Sequence, residues 1–402
     1  ILYSGGNNTI SGNISGTSND DRAIVYEGGF NVVTGITSAS SASSDGVTYD
    51  GGDNTVSGNI YATATGSSSG KGISYNGGNN TISGSISSSS NHDVSVYYAG
   101  GNNIITGNTV ATSNLGAGVI YSGGNNTISG NTSGVSNANR GVIYEGGFNV
   151  IKGNTVGFSE PQEGVFYGGG NNTISGKTSG TSGSNDGVSY SGGNNQISGE
   201  TWGTTMASCS TQSGVYYIGG NNTISGNTFG TAISRGYGVA YLEGNNLISG
   251  NTSGSGAEVG VYYVGINGTI PSYSNIILSG NVTGISNTGQ GVLLSRGTVY
   301  AANNITITGK ADDAVNDVVM LGGTNFTGAS SSSLSIQGRS ITFATDSGVN
   351  NVSGLANLIF SSSNQAVAFN TTGEGRFNSS ISNVTFGSNN QTLTSTFGAN
   401  IL

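Results

Sequence analysis

One feature limits the fold of this chain more than any other: twelve tyrosines recur along it at a nearly constant step. Seven of the eleven intervals are 23 residues, and each tyrosine sits in a version of the phrase G-V-x-Y-x-G-G-N-N-T-I-S-G-N. A period of this length is typical of architectures built from stacked repeats. The tyrosines are Tyr3, Tyr26, Tyr49, Tyr75, Tyr98, Tyr121, Tyr144, Tyr167, Tyr190, Tyr217, Tyr241 and Tyr263.

Each repeat divides into three short strands and three turns. In residues 118–141, strands are predicted at 119–121, 126–129 and 131–136, with glycine pairs or single glycines between them. Three strands in about 23 residues make one coil of a single-stranded parallel β-helix, an all-β solenoid in which each strand pairs with its copy one coil later. The handedness of parallel crossovers favours the right-handed form.

Alternation along the strands assigns side chains to the core. Four columns are predicted to point inward: an aliphatic column beginning at Val25 and Val47, the tyrosines, the asparagines from Asn8 to Asn246, and a third-strand column containing Ile14, Ile36 and later threonines. Two residues beyond the last column stand glycine, alanine or serine. We expect this small column to make room for the tyrosine rings, because interiors are close-packed.

The phrase is regular over residues 1–265 and loosens over residues 266–402, where alternating apolar runs still indicate irregular coils. Two regions are therefore expected: regular coils in 1–265 and a continuing, irregular β-helix in 266–402. Insertions fall in return loops near 63–70 and 204–212, and a longer one spans 266–274 with Pro271.

Composition narrows the functional classes. The net charge is −9 and only 7% of residues are charged, so binding to nucleic acid is not expected. No apolar run is long enough to insert into a membrane. Cys209 is the single cysteine, which excludes an intrachain disulfide. No cofactor, metal or catalytic residue is predicted.

The asparagine ladder and the N-x-I-x-G-N phrase resemble the repeat of right-handed parallel β-helix proteins over most of residues 1–310. The Ser/Thr/Asn/Gly-rich, lysine-poor texture, as in 378–387, is similar to bacterial autotransporter passengers and large secreted adhesins. This resemblance implies an extracellular protein at the bacterial cell surface.

Exposed aromatic side chains are the candidate binding residues. Trp202 and Phe229 occupy the same outward column in consecutive coils, with Tyr61 and Val110 further along it, and exposed aromatic patches favour sugar or protein contact. The acidic residues Glu27, Asp50 and Asp53, and the run at 312–317, are better explained as solvated loops than as catalytic or calcium sites.

A second outward array has the pattern T-x-S beside the inner isoleucines, as in Thr127 and Ser129, and is similar to the faces of ice-binding solenoids. Val32, Ile104 and Leu247 interrupt it.

The sequence favours a non-enzymatic structural or adhesive protein: the stalk of a bacterial surface adhesin, or a surface-filament subunit that self-associates end-to-end or laterally. Its expected partners are a host or cell-surface protein or a glycan. A carbohydrate-active β-helix of the polysaccharide lyase, hydrolase or tailspike type is the first alternative, and an ice-binding solenoid is the second.

Overall fold

In a computed structural model, the chain is an all-β parallel solenoid with three parallel sheets and about 23 residues per turn over about 12 turns. The structure describes residues 1–66, 70–209, 211–242, 246–264, 275–278, 280–295, 297–301, 304–311, 318–320, 324–328, 331–338, 341–343, 350–353, 357–361, 368–371, 375–377, 383–387 and 394–396. No helix occurs among them. The predicted fold class is therefore confirmed, and the insertion at 266–274 and the acidic run at 312–317 lie outside the described residues.

The chain divides into two compact units, Ile1–Glu200 and Thr201–Leu402. In the first unit, every turn runs through the sheets in the same order. The strands of its first sheet are Leu2–Tyr3, Ile24–Glu27, Val47–Asp50, Ile73–Tyr75, Val96–Tyr98, Val119–Tyr121, Val142–Tyr144, Val165–Tyr167 and Val188–Ser191. Those of its second sheet are Thr9–Ile10, Val32–Val33, Thr55–Val56, Thr81–Ile82, Ile104–Ile105, Thr127–Ile128, Val150–Ile151, Thr173–Ile174 and Gln196–Ile197. Those of its third sheet are Ile14–Ser18, Thr37–Ser41, Ile60–Ala64, Ile86–Ser90, Thr109–Ser113, Thr132–Ser136, Thr155–Ser159 and Thr178–Ser182.

The second unit has the same three-sheet plan, and its first four first-sheet strands are longer, with six residues each. Its first sheet contains Ser213–Ile218, Tyr237–Leu242, Val259–Val264, Gln290–Ser295, Val318–Met320, Ile341–Phe343, Ala368–Thr371 and Thr394–Thr396. Its second contains Thr223–Ile224, Asn246–Ile248, Asn275–Leu278, Gly297–Ala301, Thr324–Gly328, Asn350–Ser353 and Gly375–Phe377. Its third contains Thr201–Thr205, Thr228–Ala232, Thr252–Gly256, Val282–Ser286, Ile305–Ala311, Ser333–Gln337, Asn357–Ser361 and Asn383–Gly387.

The tyrosine rings stack inside the solenoid. In the first unit, neighbouring rings from Tyr3 to Tyr190 lie 4.5–5.2 Å apart with interplanar angles of 9° or less. In the second, Tyr217, Tyr241 and Tyr263 stack at 4.8 Å. The spacing matches that of paired strands, so each of these turns has one ring in its core.

A ladder of buried asparagines occupies the corner before the second sheet. The Asn126 side-chain nitrogen donates to the Asn149 side-chain oxygen at 3.0 Å and to the Gly123 carbonyl at 2.6 Å. The Asn126 oxygen in turn accepts from the backbone and side-chain nitrogens of Asn103, both at 3.0 Å. The buried amide is thus satisfied on both sides, and the asparagines point inward as predicted.

Two positions in the predicted inward columns were wrong by one residue. Ile24 pairs with Val47 and is fully buried, whereas Val25 pairs with Thr48 on the other side of the strand. Thr37 pairs with Ile14 and points inward, whereas Ile36 is 43% exposed. Both errors arose because an aliphatic residue stands directly before or after the true position, and register depends on the neighbouring turn.

The small-residue column does not face the tyrosines. A Cβ built on Gly134 would lie 2.8 Å from a Val142 methyl carbon, so this glycine packs against the start of the next first-sheet strand. The prediction that the column makes room for the rings was therefore wrong about its partner. The rings instead meet the threonine column, as in Tyr121 and Thr132, whose hydroxyls are 3.0 Å apart.

Candidate functional site: the outer face of the third sheet

The third sheet presents two outward side chains per strand. In each five-residue strand, positions one, three and five point into the core and positions two and four point outward, as the alternating burial of Thr201–Thr205 shows. Position two carries the predicted binding residues Trp202 and Phe229, which are paired in register.

Trp202 and Phe229 form a stacked pair on this face. Their ring centroids lie 4.1 Å apart with an interplanar angle of 23°, and Trp202 is 40% exposed. The predicted proximity is confirmed. Because the two rings cover each other, they do not form a wide aromatic platform, and the outer face of the Phe229 ring is directed toward the next turn.

The position after Phe229 in this column is small. Phe229 pairs with Ser253, and Ser253 pairs with Thr283. Beside them, position four carries Thr204, Thr231 and Ser255, the last two of which are exposed. The Phe229 ring thus lies beside a group of serine and threonine side chains on the same face. Over the described strands Thr201–Thr205 to Val282–Ser286, the outward positions carry no charged residue.

The acidic candidates lie elsewhere, and Asp50 is engaged in structural contacts. Glu27 and Asp50 are register neighbours, as predicted. Arg22 from the return loop reaches Asp50 at 2.6 Å, and Asn76 donates to the other oxygen of that carboxylate. The ion pair was missed because Arg22 lies outside the column of the acidic residues. Among the residues that the structure describes, no group of three or more His, Cys, Asp or Glu side chains is placed to hold a metal ion.

The outward column of the first sheet is covered by the return loop, which the alternation pattern did not indicate. Val94 and Ala117 from the loop pack with Ile143, and Tyr97 and Phe166 lie partly buried against them. Arg140 caps this second apolar layer, 4.0 Å from the centroid of the Phe166 ring and 2.7 Å from the Glu163 carboxylate. This layer stabilises the fold and leaves the second and third sheets as the open faces.

The second sheet presents the T-x-S array. Thr173 and Ser175 are exposed, as are the interrupting Ile104 and Leu247, at 47% and 39%. The array therefore faces outward as predicted, and its interruptions break it into short segments.

Two phenylalanines lie at exposed corners with a left-handed backbone, which the sequence pattern did not predict. Phe30 and Phe148 have φ angles of 59° and 61° and are 62% and 63% exposed. The equivalent corner residue in the neighbouring turns is Asn or Asp, as at Asn7 and Asp53. Asn and Asp tolerate this left-handed conformation better than a bulky side chain does, so a strained aromatic group is displayed on the surface.

Comparison with protein-family models, curated proteins and solved structures finds no match to this chain. A search of the described residues for a helix long and apolar enough to cross a membrane finds none.

Proposed function

We propose that this protein is a non-enzymatic, extracellular structural and adhesive solenoid of the autotransporter-passenger type, acting as the stalk of a bacterial surface adhesin or as a surface-filament subunit. One observation carries the proposal. The tyrosines and asparagines that repeat along the turns are turned inward. The outward positions of the third sheet instead change from turn to turn and carry no charge from Ile14–Ser18 to Val282–Ser286. A core that repeats from turn to turn, with exposed side chains that vary, suits a structural scaffold whose surface binds other molecules.

The Trp202–Phe229 pair is the proposed contact point for a glycan or a cell-surface protein. The stacked rings supply apolar area, and Thr231 and Ser255 supply hydroxyl groups nearby. Between Thr201 and Ser286 the outward positions of this sheet offer no cation to pair with carboxylates, and Lys310 stands one turn further on. The surface around the ring pair therefore favours a neutral sugar over a polyanion.

Intrinsic fluorescence tests this contact directly, because Trp202 is the only tryptophan in the chain. Titration with a neutral glucan or xylan is expected to shift the emission of Trp202, whereas an acidic polysaccharide is not. Phe229→Ala should weaken the response, whereas Tyr61→Ala, which removes an unstacked aromatic side chain that is 47% exposed, is the matched control. If no glycan moves the emission, the glycan contact is wrong.

Two alternatives have their own tests. Incubation with a polysaccharide panel addresses the lyase or hydrolase alternative, since release of oligosaccharides would replace the structural proposal. Thermal hysteresis addresses the ice-binding alternative, which the outward T-x-S array of the second sheet favours. Electron microscopy separates stalk from filament, because end-to-end growth is expected only of a filament subunit.

A further inference from the structure

The third-sheet face of the first unit is uncharged along its whole described length. The eight strands from Ile14–Ser18 to Thr178–Ser182 place sixteen side chains outward: Ser15, Thr17, Ser38, Ser40, Tyr61, Thr63, Ser87, Ser89, Val110, Thr112, Ser133, Val135, Val156, Phe158, Ser179 and Thr181. None is ionisable at neutral pH, although the chain carries a net charge of −9. We call these sixteen residues the neutral face.

The neutral face carries an apolar patch. Val110 pairs with Ser133, which pairs with Val156, while Val135 pairs with Phe158 in the adjoining column. Val110 and Val156 are 51% and 49% exposed. Four apolar side chains thus lie together over three consecutive turns, with nothing in the described chain covering the two valines.

We propose that the neutral face is an interface on which two copies of this chain pack face to face. This inference rests on the proposed structural function and adds the surface through which the copies associate. Charge supports a second copy as the occupant: the carboxylates of this unit lie in return loops and at sheet corners, as Glu160 and Glu200 do, and at none of the sixteen outward positions. Two like-charged copies can approach through this face without bringing carboxylates together.

Periodicity gives a second, independent argument. The side-chain ridges on the neutral face repeat at the strand spacing of about 4.8 Å. A second copy presents ridges with the same spacing, so the ridges and grooves of two such faces match along their full length, as in packed sheets.

The size of the face is sufficient for a specific dimer. Eight paired strands of five residues cover about 35 Å by about 16 Å, which is roughly 600 Å² per copy. The total of about 1,200 Å² lies at the lower limit of stable protein interfaces. We therefore expect a dimer that forms at micromolar concentrations.

The second-sheet face is the natural comparison. Its strands in this unit have only two residues each, and Lys152 follows one of them as an exposed cation. Ile104 on that face is 47% exposed and lies six positions before Val110, which is 51% exposed. The two residues match in size, exposure and turn, but they belong to different faces.

Analytical ultracentrifugation of the full chain tests the proposal. The wild-type protein should sediment in a monomer–dimer equilibrium. Val110→Lys and Val156→Lys should each weaken dimerisation at least ~10-fold, because each buries an unpaired ammonium twice in the interface. Ile104→Lys should leave the equilibrium unchanged. Circular dichroism and urea midpoints should be equal for all three variants, since the substituted side chains are exposed.

Three results would overturn the interface: a monomeric wild type at the highest attainable concentration, wild-type sedimentation of both valine variants, or equal dissociation by Ile104→Lys. The fluorescence response of Trp202 to glycans is read separately. A Trp202 response to glycans in a protein that stays monomeric would reject this interface and leave the adhesive proposal standing. Cleavage of a polysaccharide by a dimeric protein would reject the adhesive proposal and leave the interface standing.

Discussion

Two groups of turns in the first unit both contain stacked tyrosines, but the tyrosine hydroxyl has a hydrogen-bond partner in only one group. In the turns of Tyr98, Tyr121, Tyr144 and Tyr167, the third-strand residue eleven positions later is a threonine whose hydroxyl lies 2.8–3.2 Å from the tyrosine oxygen. In the turns of Tyr49 and Tyr75, that residue is Ile60 or Ile86. The hydroxyls of these two tyrosines are buried without a hydrogen-bond partner.

The comparison separates what the ring contributes from what the hydroxyl contributes. Stacking is equally close in both groups, at 4.6 Å for Tyr49–Tyr75 and 4.8 Å for Tyr98–Tyr121. Ring packing is therefore conserved along the stack whether or not the hydroxyl is satisfied. Tyr263 extends the rule to the second unit, since its hydroxyl also lacks a partner and the following third-strand position is Val282.

The largest expected effect is alkaline unfolding. Burial raises the pKa of Tyr121 to about 12, with the Thr132 hydroxyl lowering it in part, and burial followed by repulsion from Tyr49 raises the pKa of Tyr75 well above 10. The neutral phenol is favoured in the folded state, so this stability is complete below pH 10 and is lost as the pH rises from 10 through the folded pKa. Each such tyrosine removes about 1.4 kcal/mol per pH unit in that window.

We expect tyrosinate absorbance and loss of circular dichroism to change together above pH 10 in a steep transition. The comparison predicts that Tyr75→Phe raises the midpoint pH. Ionisation of the buried tyrosines in a chain that keeps its native circular dichroism would contradict this explanation.

The next effect compares two phenylalanine substitutions at neutral pH. Tyr121→Phe leaves the Thr132 hydroxyl without this partner and should cost about 1–2 kcal/mol of unfolding free energy. Tyr75→Phe removes a hydroxyl that has no partner and should be neutral or stabilising. Urea denaturation measures both, and an equal loss in the two variants would show that the Tyr121–Thr132 contact contributes nothing.

A double-mutant cycle sharpens the contrast. Tyr121→Phe and Thr132→Val should be coupled by about 1 kcal/mol, because each removes one end of the same hydrogen bond. Tyr75→Phe and Ile86→Val should be additive, since no hydrogen bond joins these side chains. Coupling in the second pair as strong as in the first would indicate packing rather than hydrogen bonding.

The period predicted most of the fold because each turn repeats the same inward residues. It predicted the asparagine ladder, the inward tyrosine column and the proximity of Trp202 to Phe229. It failed for Val25 and Ile36, where an aliphatic residue stands directly beside the true inward residue, Ile24 or Thr37. It also failed for Arg22, which reaches Asp50 from a loop. The Tyr–Thr pairs were missed because the two residues belong to different strands, and their contact depends on how the turn closes.

The smallest expected effect concerns the exposed corners before the second sheet, where the backbone conformation of one residue decides the stability change. Phe30 occupies a left-handed corner that the neighbouring turns fill with Asn7 and Asp53. Phe30→Asn should raise the unfolding free energy by roughly 0.5–1 kcal/mol, because asparagine adopts this conformation at lower cost. Phe148→Asn should give the same gain, because both corners lie in turns whose tyrosine hydroxyl is paired, Tyr26 with Thr37 and Tyr144 with Thr155. The turn that follows Phe30 contains the unpaired Tyr49 hydroxyl. A gain at Phe148 alone, measured by urea denaturation, would mean that this unpaired turn alters the corner backbone beside it, and the two groups of turns would then differ in more than one hydroxyl contact.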